Sequence, residues 1–392
     1  MTPAPTPELA TIFREHGPAY RQAHPMPLYQ HRLMHAIETC RTPELGSVTE
    51  WCDHCGYTHS YYRSCRNRHC HKCQGRARAR WLEARQAELL PIEYFHVVFT
   101  IPDEIASIAF HNKEVLYGIL FRTTAETLQS IAGESTRLGI QLGFFCVLHS
   151  WGQNLHFHPH LHCVVPGGGL SRDRERWVSS HPHFLLPVKA LSKRFRQLFL
   201  SALQAAYSAG QLQFFGDLAG LTDARAFARY LAPVKSKKWV VYAKPPFGGP
   251  AHVLQYLGRY THRVAISNSR LRNLEDGNVT FEWKDYRHGG TSKEMTVTAD
   301  DFIRRFLQHS LPPGLQHIRY YGFFANCQRA ALTEHCRQLL ATAGSVLLPP
   351  LQQCRQLYQA ITSKPDRRWC PACGCLTLIR LQLPPPKLLN SS

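Results

Sequence analysis

The sequence predicts an α+β protein, an antiparallel sheet carrying helices on one face, with a zinc-binding module placed ahead of it. Three observations make that prediction. Between residues 93 and 166 a β-rich segment, a long helical stretch and two further β-rich segments follow in turn. Two Cys-x-x-Cys knuckles precede them. A length of 392 residues with 44% hydrophobic content suffices for more than one core.

Taken in order, residues 1–47 read as helical, with Leu9, Ile12, Phe13, Leu28, Leu33, Met34 and Ile37 as buried positions. Residues 48–90 form the cysteine module. Cys52 and Cys55 make one knuckle, Cys70 and Cys73 a second, and fourteen residues separate them. Four thiolates in two such pairs give the closed tetrahedral site of structural zinc. Cys65, His54 or His69 could replace one of the four. The following helix, from Arg76 towards Leu90, ends at Pro91. From Arg63 to Arg85 there are eight Arg or Lys and one acid, Glu83. Arg66, Arg68, Arg76 and Arg80 are therefore candidates for contacting phosphates.

Residues 91–270 form the expected core. Glu93–Ile101 reads as a buried strand, with His96 as a core residue. Residues 103–135 are helical, and Gln141–His149 is a strand that can form a hairpin with the next. That next strand carries His156-Phe157-His158-Pro159-His160-Leu161-His162. Alternation places His160 and His162 on one face, a divalent-metal clamp, with Leu161 and Cys163 on the other. Proline is disfavoured within a central strand, so the strand is expected to begin near His160 and to end at Gly167-Gly168-Gly169. Residues 171–180 read as a loop, and His181 and His183 as surface residues. A helix from Val188 follows; Lys237 and Lys238 then lead into a strand near Trp239–Ala243. The next helix carries Tyr256, Arg259, Tyr260 and Arg263, with both tyrosines on one face.

Residues 271–330 read as a β-hairpin and helix that extend the core, capped at Thr298 or Asp300, with Lys284, Arg287, Arg304 and Arg305 along a nucleic-acid path. Residues 331–392 read as a tail. Cys370, Cys373 and Cys375 supply half a zinc site there, to be completed by Cys336, Cys354 or His335.

Lys and Arg outnumber Asp and Glu 46 to 27, a formal charge of +19, which points to nucleic acid as the partner. The N-terminal residues carry no signal-peptide pattern and no apolar run approaches a membrane span, so a cytoplasmic, nucleoid-associated protein is expected and no membrane partner. Fourteen cysteines in such a compartment read as metal ligands.

These motifs in this order resemble the HUH endonucleases, named for His-hydrophobic-His, here His160-Leu161-His162. More closely they are similar to the two-tyrosine rolling-circle transposases of bacterial insertion sequences, through the Ser64–Cys70 segment, the histidine strand with its glycines, and Tyr256-Leu257-Gly258-Arg259-Tyr260. His71 departs from the family pattern, where proline is expected. The resemblance implies an HUH-like sheet. It also implies Mg²⁺ or Mn²⁺ held by His160, His162 and a third ligand, either His158 or a residue such as Gln255. Tyr256 would attack single-stranded DNA to leave a 5′-phosphotyrosine, and Tyr260 would make the complementary transfer. Single-stranded DNA and hairpins at the element ends are the implied substrates, with strand separation left to host replication or a helicase, since no P-loop is present. A non-catalytic zinc-dependent DNA regulator is the rival; it leaves the histidine strand and the tyrosine helix without a role.

Overall fold

In the computed structural model, residues 7–86, 88–134, 136–247, 264–285, 289–342, 369–376 and 378–385 are described. Helices α1 (Leu9–Ala23) and α2 (Leu28–Glu38) bury Leu9, Ile12 and Phe13 with Leu33, Met34 and Ile37. Leu28, expected inside, opens its helix facing outward and is 62% exposed. Strands β1 (Ser47–Cys52) and β2 (Thr58–Tyr62) form a hairpin, and α3 (His71–Gln86) carries the arginines.

The core begins with β3 (Tyr94–Thr100). The stretch after it is two helices, α4 (Asp103–His111) and α5 (Lys113–Gly133), separated at Asn112, whose amide donates to the Ile108 and Gln213 carbonyls. Next come β4 (Ile140–Gln141), β5 (Phe144–Trp151) and β6 (Phe157–Pro166). Two expectations fail here. Strand β6 starts before Pro159, because its pairing with β3 stops at His160–Thr100 and the β5 register is broken between His149 and Trp151. No ladder bond is asked of the proline there. Strand β6 does end where the glycines begin, as expected, but β7 (Gly168–Ser171) and β8 (Trp177–Ser179) form a hairpin where a loop was expected. A Cβ on Gly169 would run into the Gln141 carbonyl, so only glycine lets β4 and β7 approach.

Helices α6 (Val188–Ser208) and α7 (Ala224–Ser236) precede β9 (Val241–Phe247). A three-stranded sheet of β10 (Leu271–Glu275), β11 (Asn278–Asp285) and β12 (Thr291–Thr298) follows; β10 was not anticipated. Helix α8 (Ala299–Leu307) is capped as expected by the Thr298 side chain, which accepts from the Asp301 amide. Its Phe306 meets Phe13 edge-on at 5.4 Å, joining the N-terminal helices to this unit. Strand β13 (Ile318–Tyr321), α9 (Arg329–Thr342) and β14 (Leu378–Leu383) complete the order.

Among the described residues the central sheet runs β13-β5-β6-β3-β9, every neighbour antiparallel. One face is apolar: Phe95, Val97, Phe99, Cys146, Leu148, Leu161, Cys163 and Val165 bury against α5 and α6. The other face divides. Phe145, Val147 and Val164 pack with Leu82 of α3 and Cys336 and Leu340 of α9, so helices cover part of this face too. The remainder carries histidines. Strand β14, which the sequence reading set in a separate tail, pairs antiparallel with β1 over its whole length, from Ser47–Leu383 to Cys52–Leu378.

Candidate metal centre and nucleic-acid interface

Register assembles the histidine site. His160 pairs with His149 across β5–β6, and His162 with Val98 across β6–β3, so His149, His160 and His162 share the sheet face opposite the apolar core. One ring nitrogen from each lies within 4.8 Å of the others. Nε2 of His160 is 3.1 Å from Nε2 of His162. His160 Nδ1 lies 2.6 Å from the His158 carbonyl and can only donate to it, which leaves Nε2 of the neutral ring as a lone pair. His162 Nδ1 lies 2.8 Å from His96 Nε2, and donation in that direction leaves a second lone pair facing the first. Neighbouring ligands about 3 Å apart are what a cation with metal–nitrogen bonds of about 2.1 Å requires. Burial lowers the His160 pKa to about 4 and keeps the ring neutral, the ligating form.

The third imidazole is His149, not His158. The His158 ring turns towards Asp103, with Nδ1 3.8 Å from its carboxylate, and lies 5.5 Å from the His160 ring between centroids, while its backbone carbonyl faces His160 Nδ1. His96 is buried at 2% exposure, as a core residue should be, yet it orients His162. His181 and His183 are exposed and stand outside the cluster. Tyr256, Arg259, Tyr260, Arg263 and the alternative ligand Gln255 lie outside the described residues, as do Arg287 and Cys354.

The cysteines do not form the single site expected. Cys70 and Cys73 meet Cys40 and Cys65, whereas Cys52 and Cys55 meet Cys370 and Cys373. Cys73 Sγ is 3.6 Å from both Cys40 and Cys65 Sγ. A zinc ion with Zn–S bonds of about 2.3 Å sets its sulfurs about 3.8 Å apart, so the spacing fits. Hydrogen bonding within the cluster, led by that with Cys40, pushes Cys65 and Cys70 up and holds Cys73 down. Of the three anticipated substitutes, Cys65, His54 and His69, Cys65 joins this cluster; Cys40, just beyond an unremarkable helix, gave no knuckle signal. Cys336 is buried in an apolar cluster, and His335 bonds the Arg174 carbonyl, so neither completes the tail knuckle.

The basic residues divide as well. Arg66 and Arg80 are exposed and, with Arg41, Lys72, Tyr61 and Tyr62, line a groove of about 730 Å³. Arg76 lies on the same helix, α3. Arg68 turns inward instead: its guanidinium donates to the carbonyls of Leu315 and Pro312 at 2.7 Å and Leu311 at 3.3 Å. It clasps the chain after α8. Lys238 is exposed at the entrance to β9, while Lys237 pairs with Glu104. Arg304 and Arg305, both paired with Asp301, line a second cleft with the exposed Phe110 and Phe215.

Residues 143–331 match the family described as "Putative transposase", and residues 12–101 match the family described as "Transposase zinc-binding domain". The chain is 54% identical over 382 residues to "Putative transposase y4qJ" of Sinorhizobium fredii, covering 96% of this chain and 95% of that one. It is 29% identical over 290 residues to "Transposase for insertion sequence element IS801" of Pseudomonas savastanoi pv. phaseolicola, covering 73% of this chain and 68% of that one. No solved structure matches. No helix among the described residues is long and apolar enough to cross a membrane. The chain belongs to this transposase family, with a transposase zinc-binding domain at its N-terminal end that contains one four-cysteine cluster and two cysteines of a second.

Proposed function

We propose that this transposase works as an HUH-type enzyme that nicks and rejoins single-stranded DNA at the ends of its insertion sequence. One observation carries the reading: His149, His160 and His162 converge on one sheet face with the nitrogen spacing of a metal centre, in a chain of transposase ancestry. A Mg²⁺ or Mn²⁺ ion held there would draw negative charge from a scissile phosphate. The chain's own part is to aim the imidazoles, His160 through the His158 carbonyl and His162 through His96, and to keep His160 neutral by burial. In this reading Tyr256 attacks the phosphorus. An O–P bond to the phenol forms as the bond to the 3′ oxygen breaks, leaving a 5′-phosphotyrosine and a free 3′-OH. Tyr260 makes the complementary transfer. The diester conserves the energy of the broken bond, so rejoining needs no nucleotide. Arg66 and Arg80, with Arg76, Lys238, Arg259 and Arg263, hold phosphates. Hairpins at the element ends are the preferred substrates, and strand separation falls to host replication.

The test is incubation with single-stranded oligonucleotides from the element's own ends and Mn²⁺, followed by peptide mass mapping. An adduct on Tyr256 or Tyr260 that disappears with chelator or in His160→Ala supports the reading. Binding with no adduct on authentic ends would replace it with a non-catalytic DNA regulator.

A further inference from the structure

We propose that Cys52, Cys55, Cys370 and Cys373 bind a second zinc ion that clasps the C-terminal strand β14 onto the N-terminal module and so backs one wall of its basic groove. Two of these cysteines lie far beyond the residues that match the zinc-binding family, which end at residue 101.

The two halves fold alike although more than 300 residues separate them. Cys52-Asp53-His54-Cys55-Gly56 and Cys370-Pro371-Ala372-Cys373-Gly374 share the pattern Cys-x-x-Cys-Gly. In each, the glycine amide donates to the carbonyl of the first cysteine at 2.9 Å. In each, the first cysteine's amide donates to the carbonyl five residues on, Tyr57 at 2.9 Å and Cys375 at 2.8 Å. Both glycines are left-handed, Gly56 at φ 71° and Gly374 at φ 73°. A chain adopts this knuckle to present two sulfurs to one point. Here the two knuckles face each other, Cys52 Sγ 3.6 Å from Cys373 Sγ and Cys55 Sγ 3.5 Å from Cys370 Sγ. All four sulfurs lie within 4.8 Å of one another. These separations exceed the disulfide length of about 2.05 Å and approach the edge of a zinc–thiolate tetrahedron, about 3.8 Å. Four thiols around one point with no cation would repel one another on ionising; one Zn²⁺ removes that cost.

The clasp bears on the groove through a buried acid. Glu50 of β1 is 8% exposed and lines the groove otherwise walled by Arg41, Arg66, Lys72 and Arg80. Arg380 of β14 donates to Glu50 Oε1 at 2.8 Å, and Tyr61 OH donates to the same oxygen at 3.1 Å. Strand β14 therefore brings the cation that offsets an acid in a wall meant for phosphates. This second step rests on the reading of the groove as a DNA surface; the zinc site does not.

The experiment counts metal in the full-length protein by mass spectrometry. We expect two zinc atoms per chain, and one in each of Cys52→Ser/Cys55→Ser, Cys370→Ser/Cys373→Ser and the variant carrying all four changes, with Cys375→Ser retaining two. Two atoms in Cys370→Ser/Cys373→Ser, or none in the fourfold variant, would overturn the shared site. Should a serine variant not fold, maleimide labelling of the native chain decides, with the exposed Cys327 as internal standard. Cys52, Cys55, Cys370 and Cys373 should stay protected together and become reactive together on chelation; independent release would overturn the clasp. For the groove, Arg380→Ala should keep both zinc atoms and weaken single-stranded DNA binding three- to tenfold. Unchanged affinity overturns the Glu50 step. Unchanged affinity in Arg66→Ala/Arg80→Ala as well would instead remove the groove's role in DNA binding and leave the zinc count standing.

Discussion

Replacing His149 with alanine tests the histidine centre most directly. The substitution takes one of three imidazoles from a cluster whose ring nitrogens lie within 4.8 Å of one another. Groups that merely orient a ligand change metal affinity by roughly 10- to 100-fold when lost. A ligand itself should reach the upper end, about 100-fold or about 2.7 kcal/mol. His158→Ala is the matched control. It sits two residues before His160 in the same strand, but its ring nitrogen turns to Asp103 and is absent from the converging nitrogens, and the backbone carbonyl that holds His160 Nδ1 is retained by alanine. Its effect should stay below about threefold, the scale of an exposed pair. The assay is a Mn²⁺ titration of oligonucleotide adduct formation, backed by calorimetric Mn²⁺ binding without DNA. His149 is only 3% exposed, so removing its ring also leaves a void costing about 2 kcal/mol, and near-UV circular dichroism must show an intact fold at the assay temperature. A large loss in His158→Ala with little change in His149→Ala would refute the register argument and restore the ligand set expected from local spacing.

Arg68→Ala should lower unfolding free energy by roughly 3 kcal/mol in urea titrations, since three part-buried carbonyls lose a charged donor, while Arg66→Ala and Arg80→Ala should leave stability within about 0.5 kcal/mol. In DNA binding the order reverses, each exposed arginine reducing the slope of log K against log salt by about 1. Burial holds His309 down to about 3, with its ring between Ser150 Oγ and the Leu155 carbonyl. Its neutral form is favoured on folding. That contribution is fully present above about pH 6.5 and is lost as pH falls from there towards 3, about 3 kcal/mol by pH 4. His309→Gln should flatten the acid limb of a urea-midpoint profile, and an unchanged limb would reassign the loss to other groups. Gly322→Ala should cost more than about 3 kcal/mol by thermal melting, because φ is +59° and a Cβ would strike the Leu142 carbonyl oxygen.

What could be read in the sequence was what local chemistry writes there. Alternation put His160 and His162 on one face and Leu161 and Cys163 on the other, and the structure keeps that division because one sheet face is packed by α5 and α6. The Thr298 cap and the hairpin of β5 with β6 were legible for the same reason. The glycine rule held, since β6 ends directly before Gly167, but the proline rule misled at Pro159, because it describes a strand paired along both edges and this residue sits where pairing is broken.

The differences between the expected and the observed clusters share one cause. Spacing along the chain suggested His158 for the third imidazole and Cys70 with Cys73 for the partners of Cys52 and Cys55, yet each true neighbour arrives across a strand pairing or from the other end of the chain. His149 was already placed at the end of the expected strand, and the hairpin with the His160 strand was expected too. Only register was missing, and one residue of slip would have turned His149 into the apolar core, where an imidazole has no partner and a cost of several kcal/mol. Burial on one face thus selects the register, and the register delivers the third imidazole of the cluster. The cysteines follow the same logic at longer range: a lone Cys-x-x-Cys-Gly knuckle offers two sulfurs where tetrahedral binding takes four, so Cys370 and Cys373 imply a distant partner that the strand pairing of β1 with β14 supplies.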